Sequence, residues 1–231
     1  MQYKQICEGV FRDRPNRFIA HVEIGGKTET VHVKNTGRCR ELLEEGNTVY
    51  LEKSSNPNRK TAYDLIAVMK KRQGKPDLLV NMDSQIPNDV VEEWLKAGNL
   101  FGLGAEIFRE KTFGDSRFDF FVRAGNRRIF LEVKGCTLEQ DGVARFPAAP
   151  TLRGTKHLRE LLRAKEEGYE AYLLIVLQMK ECTVFSPNDA TDPEFGETLR
   201  QVVSAGVNVL ALDCKVTPDT LTIDREIPIQ L

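Results

Sequence analysis

The spacing of apolar residues changes near residue 80, and this change limits the chain to two parts of different architecture. Between residues 17 and 34, apolar and polar residues alternate on both sides of Gly25-Gly26, which is typical of a β-hairpin. Three short elements follow, two strands and one helix, at 48–52, 62–69 and 40–43. Residues 1–80 are therefore predicted to form a small β-barrel, and its size and single short helix favour the OB type.

Beyond a predicted hinge at 73–77, helices alternate with apolar strands. Asn88 is expected to cap the first helix, which ends near Gly98. Further helices are predicted at 155–167 and 192–206, and strands at 106–113, 118–123, 128–134, 171–177 and 207–212. This alternation indicates an α/β sheet over residues 81–231. The predicted fold class is α/β (α+β), with two domains, 1–80 and 81–231.

The net charge hides an uneven distribution of charged residues. The whole chain has 33 Lys+Arg and 34 Asp+Glu, a net charge of −1, which excludes a strongly basic, histone-like protein. Residues 1–80 hold 15 basic and 10 acidic residues, a net +5, while residues 81–231 hold 18 and 24, a net −6. Residues 123–165 carry a local net charge of +6. Local basic surfaces of this kind favour the approach of a polyanion.

Composition also limits the cellular setting and the kinds of metal site. No apolar run approaches the length of about 18 residues that a membrane helix needs. The five cysteines are widely separated, with no Cys-x-x-Cys pair, and the chain has three histidines, which argues against a disulfide framework or a structural zinc site. We therefore predict a cytoplasmic protein that makes no contact with a membrane.

Two acids and a lysine on consecutive predicted strands form the candidate catalytic group. Side chains alternate along a strand, so Glu132 and Lys134 point to the same face, and hairpin pairing would bring Asp119 beside them. Paired carboxylates suit Mg²⁺ or Mn²⁺, and a nearby lysine can hold a water molecule or offset charge on a phosphate. This arrangement favours phosphodiester cleavage; the alternative is an edge strand whose charged residues are merely solvated.

The same carboxylate-x-Lys pattern occurs a second time, at Asp213-Cys214-Lys215. No strand-borne acid comes shortly before this second match, and no basic helix follows it. We interpret the second match as a chance occurrence, and Glu132-Val133-Lys134 as the site.

Basic residues near the acids are candidates for binding phosphate. The stretch 153–159 is predicted to begin a helix with a glycine, whose free backbone N–H groups and neighbouring cations would attract an anion; a solvated helix face is the alternative. In the first domain, aromatic residues lie between cations along the sequence. Exposed rings of this kind could stack bases, although many of these rings fit a core equally well. The predicted nucleic-acid contacts are Arg38, Arg117, Arg153, Lys156 and His157. Taken alone, His157 would more often be a structural hydrogen-bonding residue.

Several motifs occur in the order typical of one family: Asn35-Thr36-Gly37, Ser116-Arg117-Phe118-Asp119-Phe120, Glu132-Val133-Lys134, Phe146-Pro147, the stretch 153–161 and Phe185-Ser186-Pro187. The chain resembles the sugar fermentation stimulation protein A family over essentially its whole length. The resemblance implies an OB-like N-terminal domain and a PD-(D/E)XK nuclease-like C-terminal domain. It implies that Asp119, Glu132 and Lys134 form the nuclease-like triad, with Asp119 and Glu132 as metal ligands and Glu110 as a further upstream acid.

One position departs from the family pattern, because Ala148 stands where an aspartate is usual. The leading hypothesis is a protein that binds DNA, with RNA as an alternative partner, and cleaves it with Mg²⁺ or Mn²⁺. The second hypothesis, which Ala148 favours, is a non-catalytic DNA-binding regulatory factor of sugar (maltose) metabolism that keeps the nuclease fold. The third is a protein-interaction module that binds no nucleic acid.

Overall fold

The computed structural model describes residues 1–231, which form two compact units. The first unit contains Met1–Ile86 together with two later segments, Gln178–Lys180 and Cys214–Thr222. The second unit contains Pro87–Leu177, Glu181–Asp213 and Ile223–Leu231. The chain therefore returns twice to the first unit after it has entered the second.

The first unit is a closed β-barrel. Its strands lie in the order β3-β2-β1-β4-β5-β6, and a parallel pairing of β3 with β5 closes the barrel. The strands are β1 (Ile6–Asn16), β2 (Ile19–Ile24), β3 (Lys27–Val33), β4 (Thr48–Lys53), β5 (Tyr63–Lys70) and β6 (Leu78–Asn81). Five strands closed in this way confirm the predicted OB-type barrel.

Of two local features predicted in this unit, the structure confirms one and contradicts the other. Gly25 and Gly26 both have positive φ, 57° and 80°, and connect β2 to β3 as the alternation predicts. The helix predicted at 40–43 is wrong. These residues form a single turn in which the carbonyl of Cys39 accepts from the N–H groups of Leu42 and Leu43. The buried Leu42 side chain anchors this turn, and the chain then continues into β4.

The second unit contains a mixed six-stranded sheet with the order β15-β14-β12-β9-β8-β7. The larger elements are α1 (Ile86–Lys96), β7 (Glu106–Phe113), β8 (Ser116–Ala124), β9 (Arg127–Cys136), α2 (Leu152–Glu166), β12 (Glu170–Leu177), α3 (Pro193–Ser204), β14 (Asn208–Val216) and β15 (Leu221–Ile227). A small second sheet contains β10 (Leu138–Gln140), β11 (Val143–Phe146) and β13 (Val184–Pro187). β7, β8 and β9 are antiparallel, whereas β9, β12 and β14 run parallel, which confirms the α/β prediction.

Helix α2 begins three residues before the predicted start at residue 155. Thr151 is its N-cap, and the Thr151 hydroxyl accepts a 3.0 Å bond from the Gly154 N–H. Gly154 therefore lies inside the first turn, and the prediction that it leads the helix with a free N–H group is wrong. The apolar side of α2, which includes Leu158 and Leu161, is buried, and the helix packs on β8, β9 and β12.

An aromatic cluster occupies the space around Phe130 on β9. The ring centroid of Phe130 lies 4.9 to 5.2 Å from the ring centroids of Phe113, Phe118, Phe121 and Tyr169. Phe118 is fully buried, and burial of a phenyl ring of this kind contributes about 2 kcal/mol to stability. This packing fixes β8 and β9 relative to each other, next to the candidate acids.

None of the helices is both long enough and apolar enough to cross a membrane.

The prediction of a cap at Asn88 is wrong, because α1 begins two residues earlier, at Ile86. Asn88 instead lies in the first turn of α1, and its side chain has a different partner, which belongs to the candidate site.

Candidate functional site

The candidate acids lie where two antiparallel strands stop pairing. β8 and β9 pair as far as Phe120 and Leu131, so the next residues along the two strands are Asp119 and Glu132. Beyond this point β9 continues as the parallel partner of β12. The strands thus bring Asp119 next to Glu132 and Lys134, as the hairpin pattern predicts.

Asp119 is held by two donors from different elements. The backbone N–H of Val133 donates to Oδ2 at 2.8 Å, and the Asn88 side chain on α1 donates to Oδ1 at 2.8 Å. Burial raises the pKa of Asp119, and the negative charge of Glu132 raises it further. The bonds from Val133 and Asn88 and the charge of Lys134 offset only part of this effect. Asp119 therefore carries a charge that its surroundings do not fully compensate.

Glu132 is almost completely buried, and its two oxygens have different surroundings. Oε1 contacts both Lys134 Nζ, at 2.5 Å, and the Nδ1 atom of His157. Burial alone would raise the pKa of Glu132, but the bond from His157 and the charge of Lys134 lower it overall. Oε2 is also buried and has no hydrogen-bond partner. An unpaired buried carboxylate oxygen is costly, so this atom is available for a ligand.

His157 belongs to this acidic site. The sequence places it among the nucleic-acid contacts, but its side chain is buried, edge-on to the ring of Phe118 at 6.4 Å. Arg153 Nε donates to His157 Nε2 at 3.4 Å. The Nδ1 atom of His157 faces Oε1 of Glu132, and Lys134 Nζ lies 3.4 Å from the same nitrogen. His157 thus holds Glu132 in place from α2.

The donor set fits a hard divalent cation. Asp119 and Glu132 supply two carboxylates, one of them with an unpaired oxygen, and the repulsion between them would be relieved by a positive ion. No group of three or more His, Cys, Asp or Glu side chains in the chain is arranged to hold a metal. Two carboxylates with the remaining positions taken by water or phosphate oxygens is an arrangement that Mg²⁺ favours in proteins.

Glu110, the further acid, lies across from Asp119 but faces another residue. The β7–β8 register pairs Arg109 with Phe120 and Lys111 with Phe118, so Glu110 occupies the position between them. Its carboxylate pairs with Arg117 at 3.4 Å, and both side chains are exposed. The structure therefore joins two predicted site residues, Glu110 and Arg117, to each other.

The remaining predicted phosphate contacts are distributed over both units. Arg153 reaches His157, and Lys156 Nζ donates to the backbone carbonyl of Asp115 at 3.1 Å. Arg38 is exposed in the first unit. Among the ten cations counted between residues 123 and 165, five contact carboxylates: Arg123, Arg127, Lys134, Arg159 and Arg163. Four of their carboxylate partners, Glu106, Glu167, Glu170 and Glu194, lie outside the stretch 123–165, so a count along that stretch overstates the local excess of positive charge.

Two other positions noted in the sequence have clear surroundings. Asp213, in the second carboxylate-x-Lys match, is fully buried and accepts bonds from the backbone N–H and Nε of Arg225, at 3.1 and 3.0 Å. Ala148 is exposed in the loop between β11 and α2. Neither residue is part of the arrangement around Glu132.

Sequence reasoning did not identify Asp119 as the partner of Asn88 or Glu132 as the partner of His157. For His157 a signal existed, because it lies four residues before Leu161 and therefore on the inward side of the helix. For Asn88 no local signal exists, since its partner is 31 residues away on a different element.

Comparisons with known proteins agree with this architecture. Residues 13–80 match the SfsA N-terminal OB domain, and residues 85–220 match the sugar fermentation stimulation protein RE domain. A sugar fermentation stimulation protein homolog of Ruminiclostridium cellulolyticum is 48% identical over 231 residues, which is 100% of both chains. A homolog of Desulfitobacterium hafniense is 55% identical over 221 residues, 96% of this chain and 94% of the relative.

A solved structure has the same fold throughout. The structure of Pyrococcus furiosus SfsA in complex with Ca²⁺ is similar with a TM-score of 0.88 and 26% sequence identity, covering 100% of this chain and 98% of the other. The two family matches occur in the right order along the chain, and the relatives share about half of its residues. The solved structure has the same fold. The chain belongs to the sugar fermentation stimulation protein (SfsA) family.

Proposed function

We propose that the chain binds nucleic acid and hydrolyses its phosphodiester bonds with a divalent metal ion. The observation that carries this proposal is the acid pair, Asp119 and Glu132. One oxygen of Glu132 is buried without a partner, and Lys134 is held against the other oxygen. Two acids that can hold a metal ion, beside a lysine that can face a phosphate, suit metal-dependent phosphodiester cleavage.

Asp119 and the Oε2 atom of Glu132 would hold the metal, with Mg²⁺ or Mn²⁺ as the expected ion. The Ca²⁺ present in the P. furiosus relative supports a divalent cation, because Ca²⁺ also prefers oxygen ligands. When bound, the ion would offset negative charge on the scissile phosphate and lower the pKa of a coordinated water molecule.

The chain's own residues position the reacting groups. Lys134 Nζ donates to Glu132 and lies 3.4 Å from His157 Nδ1, and its remaining N–H would face the attacking water or a non-bridging phosphate oxygen. In the reaction, the oxygen of water forms a bond to phosphorus and the bond from phosphorus to one sugar oxygen breaks, so that the phosphate gains the hydroxyl of the water and the leaving sugar oxygen gains its proton. His157 keeps the Oε1 atom of Glu132 engaged, which leaves Oε2 for the metal. Asn88 and Val133 keep Asp119 in place.

Exposed cations near the acid pair would bind the flanking phosphates. Arg153 and Lys156 lie on the first two turns of α2, the helix that also carries His157. Arg117 lies two residues before Asp119 on β8, and Arg38 is an exposed cation of the first unit that would bind phosphate there. Contacts of this kind bind the backbone of nucleic acid without reading its sequence.

The test is a cleavage assay on single- and double-stranded DNA and RNA with Mg²⁺, Mn²⁺ or a chelator. We expect cleavage that requires the metal, and a loss of roughly 1000-fold in Glu132→Gln, because this change removes a metal ligand's charge. Glu166→Gln, at an exposed acid on α2, is the matched control and should cleave like the wild type. Equal cleavage by Glu132→Gln and the wild type would refute the proposal.

A second candidate is a DNA-binding factor without catalysis, as the sugar fermentation stimulation name of the relatives suggests. Ala148, in place of the usual family aspartate, favours it. This protein would retain DNA with an affinity that falls steeply with salt, because phosphate contacts release counterions. It would give no cleaved product on any of the four substrates with either metal.

A further inference from the structure

A pocket in the first unit is lined by four arginines and no carboxylate. It has a volume of about 380 Å³, and the arginines that line it are Arg14, Arg17, Arg38 and Arg40. We call it the arginine pocket. Cations gathered in one concave site repel one another, so such a site is stable when a bound anion compensates their charge.

Arg14 builds the walls of the arginine pocket. Its guanidinium donates to four backbone carbonyls, those of Arg17, Asn35, Gly37 and Arg38, at 2.6 to 2.9 Å. These bonds join the loop after β1 to the loop after β3. Asn35 strengthens the second loop, because its side-chain oxygen accepts from the Gly37 N–H at 2.8 Å. Arg14 is thus a structural residue, and the pocket is preformed.

The other three arginines remain available for a ligand. Arg17, Arg38 and Arg40 are exposed, and none contacts a carboxylate. Guanidinium groups bind phosphate oxygens through paired hydrogen bonds. An internal phosphodiester carries one negative charge, whereas a terminal phosphate carries about 1.5 to 2 at neutral pH. Three guanidinium groups in one pocket therefore match a terminal phosphate better than an internal one.

An exposed aromatic ring lies beside the pocket. Phe18 is 45% exposed, and the guanidinium of Arg17, a pocket residue, lies 4.9 Å from its ring centroid. Exposed aromatic rings next to basic grooves stack the unpaired bases of single strands. A duplex end offers its bases less readily, because they are stacked and paired with each other.

We propose that the arginine pocket binds the terminal phosphate of a single-stranded nucleic acid, whose end base stacks on Phe18. This inference rests on the proposed function in one respect: it names the form of nucleic acid that the chain binds. It concerns binding alone and requires no cleavage.

The test measures the affinity for single-stranded DNA of about ten nucleotides, a length within the range that one OB fold covers. The strands carry an internal fluorophore and a phosphate at the 5′ end, at the 3′ end or at neither, and anisotropy is read in the presence of a chelator. We expect one of the phosphorylated strands to bind about tenfold more tightly than the unphosphorylated one. Arg38→Gln/Arg40→Gln should abolish this preference, with an unchanged melting temperature because both side chains are exposed.

A matched control removes two charges elsewhere in the same unit. Lys27→Gln/Lys75→Gln changes two exposed lysines outside the arginine pocket and should retain the preference for a phosphorylated end. Phe18→Ala should weaken binding of all three strands about tenfold and also retain the preference.

Three results would overturn the assignment: equal affinity for all three strands, a preference that survives in Arg38→Gln/Arg40→Gln, or competition by a free nucleoside monophosphate as strong as that of the phosphorylated strand. Because the assay contains no metal, it separates this inference from the proposed catalysis. Cleavage without an end preference refutes the arginine pocket alone, and an end preference without cleavage refutes the nuclease alone.

Discussion

Two stretches of the central sheet carry the same carboxylate-x-Lys pattern in different surroundings. Glu132-Val133-Lys134 lies on β9 and Asp213-Cys214-Lys215 on β14, and both strands pair in parallel with β12, one on each side. Both acids are buried, with 2% and 0% of their surface exposed. Pattern, strand type and burial are therefore the same, and none of them distinguishes a site from a structural residue.

The difference lies in the partners of each carboxylate. Asp213 directs its two oxygens to Arg225, which satisfies both with an N–H donor. Glu132 has one oxygen without a partner. Its negative charge also raises the pKa of the neighbouring acid, Asp119. An unsatisfied buried oxygen next to an uncompensated charge is thus the mark of the candidate site, since a purely structural acid would have its bonds completed by the protein.

The largest expected contrast between the two stretches is in their lysines. We expect Lys134→Met to lower metal-dependent cleavage by about 100- to 1000-fold, because it removes the donor that faces the phosphate. Lys215→Met, the matched change on β14, should leave the cleavage rate within about twofold of the wild type. Single-turnover rates with saturating Mg²⁺ measure both.

Binding provides the control for this contrast. Both lysine variants should retain DNA at low salt almost as well as the wild type, because the other cations still contact the backbone. If Lys215→Met lost as much cleavage as Lys134→Met, the two stretches would be functionally equivalent and the distinction drawn from their partners would be wrong.

The next contrast is in stability. Asp213→Asn should lower the free energy of unfolding by about 1 to 3 kcal/mol, because it weakens charge-assisted bonds to Arg225 in a buried position. Asp119→Asn should leave the protein at least as stable as the wild type at pH 8 without metal. Denaturant unfolding of the two variants and the wild type measures the difference.

The expected stability of Asp119→Asn follows from the raised pKa of Asp119. A carboxyl group whose pKa is higher in the folded state than in the unfolded state loses folding free energy as the pH rises between the two values. The penalty grows as the carboxyl group ionises with rising pH, and asparagine removes it. Added Mg²⁺ should then stabilise the wild type but not Asp119→Asn, because only the wild type keeps both ligands. A clear loss of stability in Asp119→Asn without metal would contradict this account of the site.

The sequence was sufficient for those parts of the site that depend on local geometry. The turn between β8 and β9 and the alternation along β9 are short-range features, and they correctly predict that Asp119, Glu132 and Lys134 come together. The barrel and the α/β sheet likewise follow from alternation, turns and the order of elements, which are properties of neighbouring residues.

Features that depend on distant partners could not be read from the sequence. Asn88 reaches Asp119 from another element, and Arg14 joins two loops through four backbone carbonyls. The positive charge around the site is lower than the sequence predicts for the same reason, since Arg127 pairs with Glu170, 43 residues away. Helix α2 begins before the predicted residue 155 because Thr151 supplies its cap.

The smallest expected effect concerns His157. The two carboxylates also differ in their partners, because Glu132 contacts an imidazole and Asp213 contacts an arginine. We expect His157→Phe to lower cleavage about tenfold, because it removes one bond that positions Glu132. The variant should also move the acid limb of the pH–rate profile. The His157 bond helps to keep the pKa of Glu132 low, so its loss raises that pKa.

Glu132 must be ionised to hold a metal, and a higher pKa delays its ionisation. The acid limb of His157→Phe should therefore lie at higher pH than that of the wild type, measured as the rate at subsaturating substrate. His157→Gln is the matched variant, because its amide can still donate to the Oε1 atom of Glu132, and its acid limb should stay near that of the wild type. A purely structural His157 would lower the rates of both variants equally at every pH. An unmoved acid limb in His157→Phe would show that Lys134 alone controls the charge of Glu132.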